Sequence, residues 1–295
     1  MFTNYRTLRA ENLAFRVRAA LAISLLLIPA GSWAFAYGQG RMKIEGNSGL
    51  LASPLSPNFG IYDPLANDSP IVLHLYVWGA GLSGNAGVNG NNAPIDISLG
   101  DVLSDVEPAL SLHFELWQNR RYGFWIDGSY LSLSGKAQPV NEYDVTLDFE
   151  SVMTELVGSY RNNFSRTSLE IFAGLRYNNL RARYVAVPQP GSGNVLPVSE
   201  SGRQDWLDPL LGSRVLWQMA RKLPVVLRGD LGGFGLGSDF TWGVTAGLGY
   251  ELSRAVVITG AYRLLDIDYK KGDRQNEFVY NAQQSGALLG VAFRW

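Results

Sequence analysis

From Ile71 to Trp295 the chain repeats one pattern, alternating apolar and polar positions broken by polar or glycine-rich stretches. In Pro108–Trp117, Leu110, Leu112, Phe114 and Leu116 alternate with Ala109, Ser111, His113 and Glu115. Tyr122–Ser134 sets Phe124, Ile126, Gly128 and Tyr130 against Asp127 and Ser129. Thr167–Tyr184 sets Leu169, Ile171, Ala173, Leu175 and Tyr177 against Glu170, Gly174 and Arg176. Successive side chains of a strand point to opposite faces, so each run predicts a strand with one apolar face and one small or charged face. The same reading gives Ile71–Leu82, Tyr143–Arg161, Trp206–Met219, Pro224–Phe234, Thr241–Leu252, Ala255–Tyr269 and Phe278–Trp295. In Tyr143–Arg161 the apolar parity changes near Ser151, which predicts a bulge.

About ten strands result, and the fold class is all-β. The breaks alternate in length. Gln118–Arg121, Asn162–Arg166, Ala220–Leu223 and Ser253–Arg254 are tight. Most of the others are longer, among them 83–106 and the polar stretch 186–204. Short turns at one end and longer loops at the other are the habit of an up-and-down antiparallel barrel that crosses a membrane.

The last stretch, Ser285–Trp295, reads SGALLGVAFRW. Ala287, Leu289, Val291, Phe293 and Trp295 fall on one face; Gly286, Leu288, Gly290, Ala292 and Arg294 fall on the other. Apolar alternation ending on an aromatic resembles the closing strand of bacterial outer-membrane β-barrel proteins. The resemblance implies that Val291, Phe293 and Trp295 form an assembly signal. It also implies that this strand pairs with the first, and that barrel assembly machinery and periplasmic chaperones are partners.

Composition narrows the picture. Lys+Arg 25 against Asp+Glu 26 leaves a formal charge of -1, which argues against a nucleic-acid surface. There is no cysteine, hence neither a disulfide framework nor thiolate chemistry. A mean hydropathy of -0.01 is too low for a bundle of membrane helices. Residues 1–36 read as a secretory signal: Arg6, Arg9, Arg16 and Arg18, then apolar Ala19–Ile28, then Ala34-Phe35-Ala36 as a cleavage site. Residues 37–70, rich in Gly, Pro, Ser and Asn, are expected to form a flexible periplasmic arm, leaving 71–295 as the barrel.

Alternation alone does not say which face looks outward. Tyr and Trp near strand ends (Trp117, Tyr122, Tyr160, Tyr177, Tyr250, Tyr262, Trp295) suit the aromatic girdles of a membrane barrel, so the apolar face is expected to meet lipid. Outer-membrane lipid and lipopolysaccharide are then partners, and the location is the outer membrane. The other face becomes a lumen lined by Glu115, Asp127, Glu155, Glu170 and Asp230 with Arg176, Arg214, Arg228 and Arg263. Unpaired charge in a poorly hydrated interior is costly. These groups are therefore expected to pair across the barrel; a narrow selective pore lined by the same residues is the alternative.

Catalytic chemistry is harder to place. The two histidines, His74 and His113, show no metal spacing, and neither a metal nor another cofactor is expected. His113 shares a face with Ser111 and Glu115, but residues two apart on a strand lie roughly 7 Å apart along it, too far for a ready relay. A ten-stranded barrel is similar to the outer-membrane proteases of omptin kind. Those carry an Asp-x-His pair at the rim, and no His here has Asp two before it. The acidic group Asp96, Asp101, Asp105 and Glu107 lacks the order of a calcium loop. Gly232, Gly233, Gly235 and Gly237 sit at a hairpin tip with no helix after them, which does not make a phosphate loop. The expectation is a non-enzymatic envelope barrel with a structural, surface or narrow-channel role. An outer-membrane hydrolase acting on lipid A or peptide is the alternative, and a soluble periplasmic barrel a third reading.

Overall fold

Among the described residues eleven strands, each antiparallel to its neighbours, close on themselves: β1 (Ile71–Val88), β2 (Asn91–Ile97), β3 (Leu110–Gln118), β4 (Tyr122–Lys136), β5 (Tyr143–Asn163), β6 (Thr167–Pro188), β7 (Val198–Ala220), β8 (Leu223–Gly232), β9 (Phe240–Glu251), β10 (Val256–Lys271) and β11 (Phe278–Arg294). The computed structural model describes residues 70–98, 110–136, 143–190, 196–273 and 276–295. All of them lie in one of the chain's two compact units, Asn58–Trp295. The expected signal 1–36 and nearly all of the arm 37–70 fall outside the described residues.

The wall has ten positions because β2 and β3 share one. The upper part of β1 pairs with β2 (Leu82↔Ile97) and the lower part with β3 (Val77↔Leu110). Following the register once around gives Val72, Glu115, Trp125, Val157, Gly174, Leu210, Gly232, Thr241, Ile267, Ala282 and then Gly84. The path returns to β1 displaced by twelve residues, from 72 to 84. For ten strands this stagger sets a tilt of about 40° from the standard rise and spacing. Closure comes from β11, which pairs with β1 from Val72↔Arg294 to Gly87↔Val279. Ile71 and Trp295 exchange two backbone hydrogen bonds of 3.2 Å.

Several boundaries differ from the sequence expectation. Most of the stretch 83–106 expected as a loop is strand: β1 runs on to Val88, turns at Asn89-Gly90 and returns as β2. Asn89 and Gly90 both take positive φ (53° and 79°), the two-residue hairpin that Asn-Gly favours. The loop expected at 186–204 shrinks likewise, since β6 reaches Pro188 and β7 starts at Val198. The bulge expected near Ser151 is absent; the registers of β5 with β4 and β6 run through it unbroken.

The parity change has another cause. Along β5 the inward residues are Val145, Phe149, Met153, Glu155, Val157, Ser159 and Arg161, apolar at one end and polar at the other. The outward set does the reverse: Asp144, Asp148 and Glu150, then Val152, Leu156 and Tyr160. β6 and β7 switch at the same height, Tyr177 giving way to Asn179, Arg181 and Arg183, and Leu207 to Asp205 and Arg203. The barrel is therefore two barrels end to end. The part near the chain terminus is apolar outside and charged inside. The far part is polar outside, and its interior holds a core that includes Trp78, Leu82, Val88, Ile95, Leu131, Phe149, Leu180, Trp206, Ile267 and Tyr280. The apolar outer band spans nine residues of β5, 152 to 160, or about 20 Å along the axis at this tilt.

Candidate functional site

The charged lumen is built by parity. Strands β3 to β8 and β10 turn their odd or even positions inward, and all nine charged residues expected there are on the inner face. Glu115, Glu155, Glu170 and Arg176 have no solvent exposure at all.

They join into two linked groups. In the lower one, Arg214 reaches Glu115 Oε1 at 2.6 Å and Glu170 Oε2 at 2.7 Å, and Glu170 Oε1 also takes Arg161 at 2.6 Å. Trp117 Nε1 donates to Glu115 Oε2 at 2.7 Å, and the Arg161 guanidinium lies 3.6 Å over the Trp117 ring. His113 stands between two acids, with Nε2 2.8 Å from Glu115 and Nδ1 3.0 Å from Asp127. Only a doubly protonated ring can donate to both. The Tyr76 hydroxyl donates to Asp127 Oδ1 at 2.9 Å. In the upper group, Glu155 accepts from Arg176 at 2.7 Å and Arg228 at 2.8 Å, while Asp230 lies 2.6 Å from Arg176 and 3.1 Å from Arg228. Arg263 meets Glu155 at 3.4 Å. A forked guanidinium serves two carboxylates at once, so these groups interlock instead of forming separate pairs.

Besides Tyr76 and His113, three members were not in the expected set. Arg161 lies six residues from Glu155 on the same strand, so parity alone places it inside. Asp208 has the same relation to Arg214. It accepts from Asn178 at 3.0 Å, Trp206 at 3.1 Å and Ser238, both backbone N (2.7 Å) and hydroxyl (2.9 Å). Those bonds tie the Gly233–Asp239 loop to the wall. Trp117, expected in the outer girdle, is 7% exposed and points inward. It shares the parity of His113 and Glu115, and its indole N–H finds a carboxylate there.

The outer face carries the remaining aromatics of the expected girdles. Tyr122, Tyr160, Tyr250 and Trp295 mark the terminal end, with Tyr122 and Tyr160 rings 5.6 Å apart; Tyr177 and Tyr262 mark the other edge. Leu112, Leu156, Leu175, Leu211, Leu248, Ile258 and Leu289 fill the band between, every one exposed. Val291 and Phe293 of β11, and Trp295 just after it, lie on the outward side too.

No protein family and no curated protein matches the chain by sequence. Solved structures do match. The outer membrane protease OmpT from Escherichia coli superposes with a TM-score of 0.53 at 8% identity, covering 78% of this chain and 97% of that one. The translocator domain of the autotransporter NalP from Neisseria meningitidis gives 0.46 at 12%, covering 76% and 88%. Ail, the attachment invasion locus protein of Yersinia pestis, gives 0.32 at 13%, covering 77% and 99%. The chain has the fold of the bacterial outer-membrane β-barrels.

In this outer-membrane-type barrel further contacts cross the far end of the described wall. The β1–β2 hairpin leans across the mouth, where Asn89 Nδ2 donates to Glu200 at 2.9 Å and Asn92 Nδ2 to Glu277 at 3.2 Å. The Trp206 and Tyr269 rings stack at 3.9 Å, bridging β7 and β10 above the shorter β8 and β9. On the rim, the hydrogen bond from Lys270 holds the Glu277 carboxyl below its ordinary pKa. Among the described residues no group of three or more His, Asp or Glu could hold a metal ion. Asp96 sits on β2, exposed, opposite Ser83. Asp101, Asp105 and Glu107 lie outside the described residues.

Proposed function

We propose that the protein is an integral outer-membrane barrel, exported by its N-terminal signal, that does not conduct and is not an enzyme. Its role is structural and at the surface: a rigid stave whose outer half presents polar walls and loops to the medium. Outer-membrane lipid and lipopolysaccharide surround the apolar band, and the β11 face with Val291, Phe293 and Trp295 is what barrel assembly machinery reads after periplasmic chaperones deliver the chain.

One observation carries the reading. The interior is blocked in two layers, interlocked charge near the terminal end and a packed apolar core above it. An ion path would have to break both. A hydrolase reading has less support: His113 and Asp127 are each 5% exposed, inside the wall and beneath that core, where a lipid or peptide bond has no approach. Planar-bilayer recording tests the proposal. The unmutated protein should show little or no stable conductance. Steady, ion-selective openings would overturn it.

A further inference from the structure

The paired charges do not fill the whole lumen. A cavity of about 60 Å³ lies beside them, bordered by His74, Thr245, Thr259, Arg228 and Arg263 among others. It exists because β9 turns only Thr241, Gly243, Thr245, Gly247, Gly249 and Glu251 inward, so that this side of the barrel offers little bulk. A space of this size takes a few waters or one small ion.

The register crowds cations at its edge. Arg214 stands opposite Arg228, Arg228 opposite Thr245, and Thr245 opposite Arg263. Like charges side by side repel unless answered. Arg214 is answered by Glu115 and Glu170, and Arg228 by Glu155 and Asp230. Arg263 is not answered as well. It is 5% exposed, and among the described residues its ion pairing is one long contact of 3.4 Å to Glu155 Oε1, an oxygen that already accepts two bonds from Arg176. Its guanidinium otherwise lies 5.0 Å over the Trp78 ring. Arg228 Nε has no hydrogen-bond partner among the described residues. The lining also includes Arg214, His113 and Asp127, but Arg214 is taken up by Glu115 and Glu170, and Asp127 by His113 and Tyr76. That leaves Arg228 and Arg263 on the cavity wall, sharing Glu155 and Asp230 with Arg176 behind them, three guanidinium groups to two carboxylates. Asp208, the nearby acid toward the rim, is saturated by its own four donors.

We infer that this cavity is a binding site for one small monovalent anion, of halide or nitrate size, held by Arg263 and Arg228 with the Thr245 hydroxyl. A buried guanidinium with free N–H groups is a strong anion donor. One negative charge would complete the local balance that the carboxylates leave short.

The site is testable without reference to conduction. The full chain is refolded from urea into detergent micelles and titrated with sodium iodide, sodium gluconate holding the ionic strength. Iodide bound beside Trp78 should quench tryptophan emission along a curve that saturates, and chloride should reverse it. Arg263→Gln should lose the saturating component; where that variant does not fold, Thr245→Val, which removes the hydroxyl, should weaken it. Strictly linear quenching by the unmutated protein, or a saturating component that survives in the folded variants, would overturn the assignment.

Discussion

Each lumen charge is tolerable only through its partners. Desolvating a carboxylate or guanidinium is expensive, and removing one partner strands the rest. Arg214 bridges Glu115 and Glu170, both fully buried. Arg214→Ala should therefore lower stability by about 3–5 kcal/mol. Arg181 makes a looser contact of 3.7 Å with Glu150, and its side chain is 63% exposed. Arg181→Ala should change stability by less than about 1 kcal/mol. Urea unfolding of both variants in micelles checks the contrast; equal losses would remove the claim that the lumen network carries stability. Much of this network was legible from parity, which put nine charged residues on one face. What parity could not give was the pairing. His113 contacts Asp127 because their strands sit in that register, and a cross-strand register is not written in either strand alone. Arg161 was legible and missed, since its even spacing from Glu155 places it inside. Trp117 was misplaced by treating a strand-end aromatic as lipid-facing, although its parity with Glu115 said otherwise.

At the scale of the strand, the informative feature was the one that looked like an irregularity. A strand crossing from lipid to water inside a closed wall must exchange its apolar and polar faces at the boundary. β5 does so between Val152 and Glu150 without shifting register, whereas a bulge would have moved every later side chain to the other face. The Asn89-Gly90 hairpin was hidden for a related reason: the glycine- and asparagine-rich composition around it read as loop, although Asn-Gly between paired segments is itself a turn signal. The face exchange makes a prediction. Leu156→Arg puts a charge in the apolar band and should destabilise the barrel by about 2–4 kcal/mol near the middle of the hydrocarbon. Glu150→Arg, at the first outward position beyond the boundary, exchanges a loose ion pair with Arg181 for two like charges in water and should cost no more than about 1 kcal/mol. Thermal unfolding in lipid vesicles, followed by heat-modifiable gel mobility, separates them. The closing strand makes another. β11 is held on both sides, by β10 and β1, so removing Phe293–Trp295 deletes the Ile71–Trp295 clasp and the outward aromatics together. Folded barrel in the membrane should be lost, and wild-type amounts of heat-modifiable protein would refute the role given to this strand.

For the whole molecule, ten wall positions with a stagger of twelve residues enclose a lumen narrow enough for side chains to fill. What fills it changes with height. Charged groups occupy the part girdled by the apolar band, where the outside must match lipid and the inside is free to be polar. An ordinary hydrophobic core occupies the part beyond, where the outside must match water. The central claim is this reversal along a single wall, and the absence of cysteine in the chain makes it directly measurable. Single cysteines are placed at outward positions of β5 (Asp148, Glu150, Val152, Leu156 and Tyr160), and intact cells are treated with a membrane-impermeant maleimide. Labelling at 148 and 150 with protection at 152 and 156 is the expected result. Uniform labelling along the strand, or protection at 148 and 150 with labelling at 156, would contradict the account.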